Sequence, residues 1–159
     1  MRDSQALVAR LARFPDALDG AIRVASAANE EDLRWKPAPE HWSVLEIVCH
    51  LLDEEREDFR VRLRSTLEDP SRAWPPLDLD GVAQRRSYNV RSMTETLVAF
   101  RRERSASVAW LRSVERPDWS VAHAHPKFGP ITAGDLLAAW AAHDALHARR
   151  IAKRIFGLA

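Results

Sequence analysis

Three short motifs, each typical of the first turn of an α-helix, divide this sequence. Ser43 and Ser92 are each followed three residues later by a glutamate, and Thr132 is followed at the same distance by an aspartate. In such a capping box the hydroxyl accepts a hydrogen bond from a backbone N–H of the first turn, and the carboxylate reaches back to the N-cap. The apolar residues that follow recur every three to four positions, and only five of the 159 residues are glycine. This pattern predicts an all-α protein.

The apolar periodicity predicts four long helices, over residues of about 4–27, 44–67, 93–115 and 133–157. Pro15 should kink the first helix or divide it in two, because a proline ring excludes a backbone hydrogen bond. Pro70 and Pro117 end the second and third helices. Asn29 is expected to cap a further short helix at about residues 30–33.

Residues 69–91 form a connection that is long enough to cross over the bundle. Its apolar side chains Trp74, Leu77 and Tyr88 are expected to pack against the helices. Residues 126–130 contain two prolines and a glycine and are expected to form a turn-rich loop. We therefore expect a single domain over residues 1–159, folded as a four-helix bundle with a long crossover connection.

The charge balance argues against an electrostatic nucleic-acid binder. The 24 lysines and arginines nearly cancel the 23 acids, which leaves a net charge of +1. Charged residues interrupt every apolar run near the N-terminus, and no stretch approaches the roughly 20 apolar residues that cross a bilayer. We therefore expect a cytoplasmic protein without membrane association. Cys49, the single cysteine, cannot form an intrachain disulfide. It is expected in the core and, turned about 100° from His50 along the helix, is a poor metal ligand.

Two histidines on the last helix suggest a metal site. His143 and His147 are four residues apart, so both rings lie on one face of the helix and can share one ion. They belong to an arc expected to face inward, formed by Leu136, Trp140, His143, His147 and Ile151. With His50 from the second long helix, three neutral imidazoles would hold one divalent ion and leave room for water or substrate. Sequence spacing leaves open the alternative that each histidine is an ordinary core residue.

Two carboxylates lie close to these histidines in the sequence. Glu54 is one helical turn after His50, and Asp144 follows His143 directly. Each is a candidate proton acceptor or hydrogen-bond partner of a metal ligand, although surface or structural roles are favoured for both. Trp140, one turn before His143, is a candidate wall of the site.

Other chemical motifs are missing from the sequence. It contains no His-Glu-x-x-His, no Glu-x-x-His, no Gly-x-Ser-x-Gly and no phosphate-binding loop. Their absence argues against a zincin-like protease, a di-iron bundle and nucleophilic catalysis. His123 and His125, in the proline-rich region, would point the same way in an extended chain but are expected to face solvent. His41 carries no further signal.

Four segments of the sequence resemble motifs of the DinB/YfiT-like family and together span residues of about 5–156. They are Trp35-Lys-Pro-Ala-Pro39, the stretch from Trp42 through His50 to Glu55, Phe128-Gly-Pro-Ile-Thr132, and His143-Asp-x-x-His147 followed by Arg-Arg-Ile151. The resemblance implies a four-helix bundle, often a homodimer, with one divalent metal ion on a triad formed by His50, His143 and His147. Some relatives that use low-molecular-weight thiols have glutamate in place of one histidine. This chain keeps all three, as in the bacillithiol-transferase and uncharacterised branches.

The leading hypothesis is a metal-dependent enzyme with a small-molecule substrate, a transferase that joins a low-molecular-weight thiol cosubstrate to an electrophile. Zinc or nickel would bind the thiol at its open position and stabilise the thiolate. With water at that position, the same site would act as a metal-hydroxide hydrolase. A non-catalytic bundle that acts by partner binding, with a structural or vestigial metal site, is the third alternative.

Overall fold

A bundle of helices accounts for most of the residues that the computed structural model describes, which are 3–25, 30–77 and 81–158. The α-helices are α1 (Ser4–Ala25), α2 (Val44–Glu57), α3 (Phe59–Glu68), α4 (Val82–Arg85), α5 (Met93–Ser113) and α6 (Ala133–Ile155). Short 3₁₀ helices span Glu30–Arg34 and Tyr88–Val90, and two strands, β1 (Ala122–His125) and β2 (Gly129–Thr132), pair antiparallel. α1 packs against α5 and α6, α2 against α5, and α3 against α6. The predicted all-α four-helix bundle is confirmed.

The three predicted helix starts are confirmed by their hydrogen bonds. Ser43 Oγ accepts from the Glu46 backbone N–H at 3.1 Å, and the Glu46 carboxylate accepts from the Ser43 N–H at 2.9 Å. Thr132 and Asp135 exchange the same pair of bonds at 3.0 and 3.1 Å. Ser92 Oγ accepts from the N–H three residues later at 3.3 Å. These local contacts fix where α2, α5 and α6 begin.

The second long helix is broken, so the prediction of one continuous helix over residues 44–67 was wrong. Asp58 leaves the helical region (φ −116°, ψ −92°) between α2 and α3. Aspartate is a weak helix former, and the buried Asp58 carboxylate instead pairs with Arg62 at 2.7 Å. The break lets α3 pack against α6 while α2 packs against α5. α1, by contrast, is one helix with Pro15 inside it, so of the two predicted effects of this proline the division of the helix does not occur. The predicted cap Asn29 lies outside the described residues.

A β-hairpin occupies the region that was expected to be only a turn-rich loop. His123 pairs with Ile131 and His125 with Gly129 across β1 and β2. Strands of four residues are too short to give a clear alternating pattern. The hairpin also buries His123, which was expected to face solvent. Its ring stacks on Trp74 with centroids 4.2 Å apart, and its Nδ1 lies 2.9 Å from the Pro70 carbonyl oxygen.

The connection between α3 and α5 packs against the helices through Tyr88 and Trp74, as predicted. Tyr88 is fully buried, and its hydroxyl donates to Asp53 at 2.5 Å. Trp74 is partly buried and donates its indole N–H to Thr66 at 3.2 Å. Cys49 is in the core, as expected, with its thiol 3.8 Å from the Tyr88 carbonyl oxygen. None of the described helices has the length and apolar composition to span a bilayer.

Candidate metal centre

The fold brings the three histidines from α2 and α6 to one place. His50 Nε2 lies 3.3 Å from His143 Nε2, and His147 Nε2 lies 3.1 Å from the same atom. One ligand atom from each residue lies within 4.8 Å of the others. His143 and His147 meet because four residues make about one helical turn. His50 meets them only because α2 packs against α6.

Two of the three spacings between the imidazole nitrogens match the spacing of ligands around a single metal ion. With metal–nitrogen bonds of about 2.0–2.1 Å, two ligands of a tetrahedral ion lie about 3.3–3.4 Å apart. Both short Nε2–Nε2 distances, 3.3 and 3.1 Å, are close to this value. Hydrogen bonding is a poorer explanation, because His143 Nε2 carries either one proton or one lone pair and can satisfy only one neighbour. A cation would accept all three lone pairs at once.

Burial keeps the three imidazoles in the neutral form that binds metal. His50 and His147 are buried, and His143 is partly buried. Loss of solvation is the main cause that lowers the pKa of His50 to about 4, of His143 to about 3 and of His147 to about 2. The charge of Arg150 acts in the same direction on each ring. At neutral pH every ring therefore keeps a free lone pair.

Aromatic rings hold the imidazoles in place. Trp42 packs on the His50 ring with centroids 4.8 Å apart, and Phe59 packs on His143 at 5.1 Å. Trp140, the expected wall of the site, stacks on Phe59 with ring centroids 5.8 Å apart, and Phe59 in turn contacts His143. In the sequence Trp42 was marked only as the first residue of a family-like segment, and no pattern singled out Phe59. Phe59 is the first residue after the break between α2 and α3, which the periodicity does not reveal.

Glu54 lies beside the triad rather than in it. One of its carboxylate oxygens is 3.7 Å from His50 Nδ1, on the side of the ring away from the other histidines. Burial raises the pKa of Glu54 to about 8, and a hydrogen bond and the charge of Asp58 act in the same direction. At 3.7 Å this carboxyl is too far from His50 Nδ1 for a direct hydrogen bond, but it lies on the side of the ring where a metal-bound histidine usually has its partner.

Asp144 has a structural role in a buried ionic network. Its carboxylate accepts two hydrogen bonds from Arg104, at 2.6 and 2.9 Å. Arg104 also donates to Glu55 at 2.9 Å and to the Leu11 carbonyl oxygen at 3.2 Å, and Glu55 accepts from the Trp140 indole N–H at 3.2 Å. The network thus ties α1, α2, α5 and α6 together beside the histidines. Nothing in the sequence marked Arg104, because its partners come from distant parts of the chain.

Comparison with known proteins agrees with this architecture. A family model of the DinB superfamily matches residues 6–151. The chain belongs to the DinB superfamily. Its fold is similar to that of YfiT from Bacillus subtilis, described as a probable metal-dependent hydrolase with an unusual four-helix bundle topology (TM-score 0.83, 19% identity, covering 100% of this chain and 90% of YfiT). No curated protein matches the sequence significantly. The family resemblance seen in the sequence is confirmed.

Proposed function

We propose that this DinB-superfamily protein is a metal-dependent enzyme in which His50, His143 and His147 hold one divalent ion, zinc or nickel. The three-histidine cluster carries the proposal. Catalytic zinc sites have three protein ligands and an open position, whereas structural sites usually have four. In the part of the chain that the structure describes, no fourth histidine, cysteine or carboxylate joins the cluster. The donor set therefore favours an enzyme over a structural or vestigial metal site.

A cavity that reaches the triad through His50 is a suitable place for a small polar substrate. It has a volume of about 300 Å³ and lies between α2 and the connection that follows α3. His50 and Glu54 form one side of it, and Arg86 and Tyr88 form the other. Arg86 closes the far wall by bonding to Asp53 at 2.5 Å and to Glu57 at 2.7 Å. A small molecule in this cavity would contact the His50 and Glu54 side chains.

Hydrolysis is the reaction that we favour. A bound divalent ion supplies a Lewis acid that makes a water molecule nucleophilic near neutral pH. The residues of this chain hold the ion, and the Glu54 carboxyl lies beside His50 at the cavity wall. Trp42 and Phe59 shield the imidazoles from bulk water. The description of YfiT as a probable metal-dependent hydrolase supports the same reaction class.

Thiol transfer is the second candidate. It is supported by the likeness of the His50 and His143–His147 motifs to those of thiol-using members of the family. The same cluster would then lower the pKa of a low-molecular-weight thiol, because the thiolate is the competent nucleophile. The two candidates differ in the nucleophile, not in the residues that bind the ion.

Metal analysis and paired activity assays test the proposal. Untagged protein should contain one zinc or nickel ion per chain, and His147→Ala should lose it. The exposed His41 provides a matched control, and His41→Ala should keep the metal. Stoichiometric metal in His147→Ala would refute the site. Turnover of ester or amide substrates without added thiol indicates hydrolysis, whereas turnover that requires a thiol and an electrophile indicates transfer. Absence of both activities in metal-loaded protein would contradict the enzyme proposal.

A further inference from the structure

A second cavity lies apart from the candidate metal centre. It has a volume of about 540 Å³ and lies between the start of α1, the end of α5 and the residues that follow α5. None of its lining residues lines the cavity beside His50. Its wall residue Trp119 accepts a backbone hydrogen bond from Gly134 in the first turn of α6. His143 is nine residues further along α6, about 14 Å at the helical rise.

The charged side chains that line this cleft are positive and lie outside the ion pairs of the described residues. Among its described lining residues, Arg112 and Arg116 are the charged ones, and no carboxylate is present. Within residues 3–25, 30–77 and 81–158, neither guanidinium has an ion-pair partner. Other exposed arginines do have one: Arg101 on the same helix α5 lies 2.8 Å from Asp16, and Arg64 lies 2.8 Å from Glu68. The two cleft arginines therefore remain free to bind an external anion.

The backbone at Arg116 is strained in the conformation that places its side chain at the cleft. Its φ is +45°, in the left-handed region that residues other than glycine rarely adopt. The next residue is Pro117, and a residue before proline prefers an extended backbone with negative φ. Local preferences of the chain therefore do not explain the position of Arg116. Strained backbone of this kind is concentrated at binding sites.

The rest of the cleft is apolar. Val8 from α1, Leu111 and Val114 from the end of α5, and Trp119 form its walls. A ligand that fits must therefore combine an anionic group for the arginines with an apolar or aromatic body for these walls. Guanidinium groups bind carboxylate-like anions through paired N–H donors, and the volume of the cleft is in the range of small-molecule sites.

We propose that this cleft binds a small organic anion with an apolar or aromatic body, independently of the metal centre. Arg112 and Arg116 bind the anionic group, and Trp119 and Val8 contact the body. Because the cleft shares no residue with the triad, the proposal does not depend on the chemistry at His50, His143 and His147.

Fluorescence titration with anilinonaphthalenesulfonate, an aromatic anion, tests this proposal. The wild-type protein should bind the dye saturably, and octanoate should displace it better than the neutral octanol. Arg112→Gln and Arg116→Gln should each raise the dissociation constant by about fivefold, with a larger rise in the double variant. Arg102→Gln removes one exposed positive charge from the same helix and is the matched control. It should bind the dye as the wild type does.

Three results would overturn the proposal. They are an absence of saturable dye binding to the wild type, equal affinity in the wild type and the double variant, and equal displacement by octanol and octanoate. Far-ultraviolet circular dichroism shows whether the double variant is folded, and its metal content should equal that of the wild type. If the double variant is unfolded, the single variants and the octanoate–octanol comparison decide the question.

Discussion

Removing the buried guanidinium of Arg104 should destabilise the protein more than any surface charge change. The side chain of Arg104 is 2% exposed, and those of its partners Glu55 and Asp144 are 0% and 5% exposed. Arg104→Met would keep much of the side-chain volume but leave both carboxylates without their cation. It would also leave the Leu11 carbonyl oxygen without its donor.

The size of the effect follows from the burial of the whole network. Breaking a buried ion pair by removing one partner costs about 3–5 kcal/mol, because an uncompensated charge remains in the interior. For a chain of this length, each kcal/mol lowers the melting temperature by about 2–4 °C. We therefore expect a decrease of about 6–20 °C. Arg101, on the same helix, is 45% exposed, so the surface variant Arg101→Met should lose at most about 1 kcal/mol.

Urea unfolding followed by circular dichroism would measure both variants. Combining Arg104→Met with Glu55→Gln and Asp144→Asn should recover part of the lost free energy of unfolding, because the remaining groups are then neutral. Metal affinity should fall in Arg104→Met and return in part in the triple variant, since the network lies next to His143. A loss in Arg104→Met no larger than that in Arg101→Met would refute this account of the network.

Three further predictions concern titration, thiol reactivity and backbone strain. The pKa values of His50, His143 and His147 are lowered in the folded protein, so below pH of about 6.5 the unfolded chain binds more protons than the folded one. As the pH falls from 7 to 5, the metal-free wild type should therefore lose stability relative to metal-free His147→Asn, because the opposing effect of the raised Glu54 pKa is present in both proteins. Urea unfolding at both pH values gives the two slopes, and equal slopes would contradict the prediction. Burial raises the pKa of the Cys49 thiol to about 11. A thiol-labelling reagent that reacts by disulfide exchange should therefore label Cys49 only in denaturant. Rapid labelling of the native protein would show that the thiol is accessible. Arg116→Gly should stabilise the protein by about 1 kcal/mol, because glycine adopts the left-handed backbone without strain. The variant should therefore melt at a higher temperature and bind the dye more weakly. A lower melting temperature would show that the backbone at Arg116 is not strained.

Local sequence signals predicted the elements that depend on neighbouring residues. The Ser43–Glu46 and Thr132–Asp135 caps each act within one turn, so their spacing is visible in the sequence. The pairing of His143 with His147 is likewise fixed by one helix. The arrival of His50 depends on how α2 packs against α6, and residue spacing left it open. Only the resemblance to the DinB/YfiT-like family implied it.

The features that sequence analysis missed depend on contacts across the fold. Asp58 breaks a helix whose apolar period continues on both sides, and the packing of α3 against α6 beyond the break becomes visible only in three dimensions. His123 is buried because a hairpin of two short strands places it on Trp74. Arg104 looks like any surface arginine in a helical stretch, although its partners Glu55 and Asp144 come from two other helices. Each case is a tertiary interaction that overrides a local pattern.

X-ray absorption spectroscopy of zinc- or nickel-loaded protein tests the central claim most directly, because it counts the imidazoles around the ion. We predict three imidazole ligands and at least one non-protein ligand in the wild type, with one imidazole fewer or no bound ion in His50→Ala. Two or fewer imidazoles in the wild type, or an unchanged spectrum in His50→Ala, would contradict the claim that histidines from α2 and α6 share one ion.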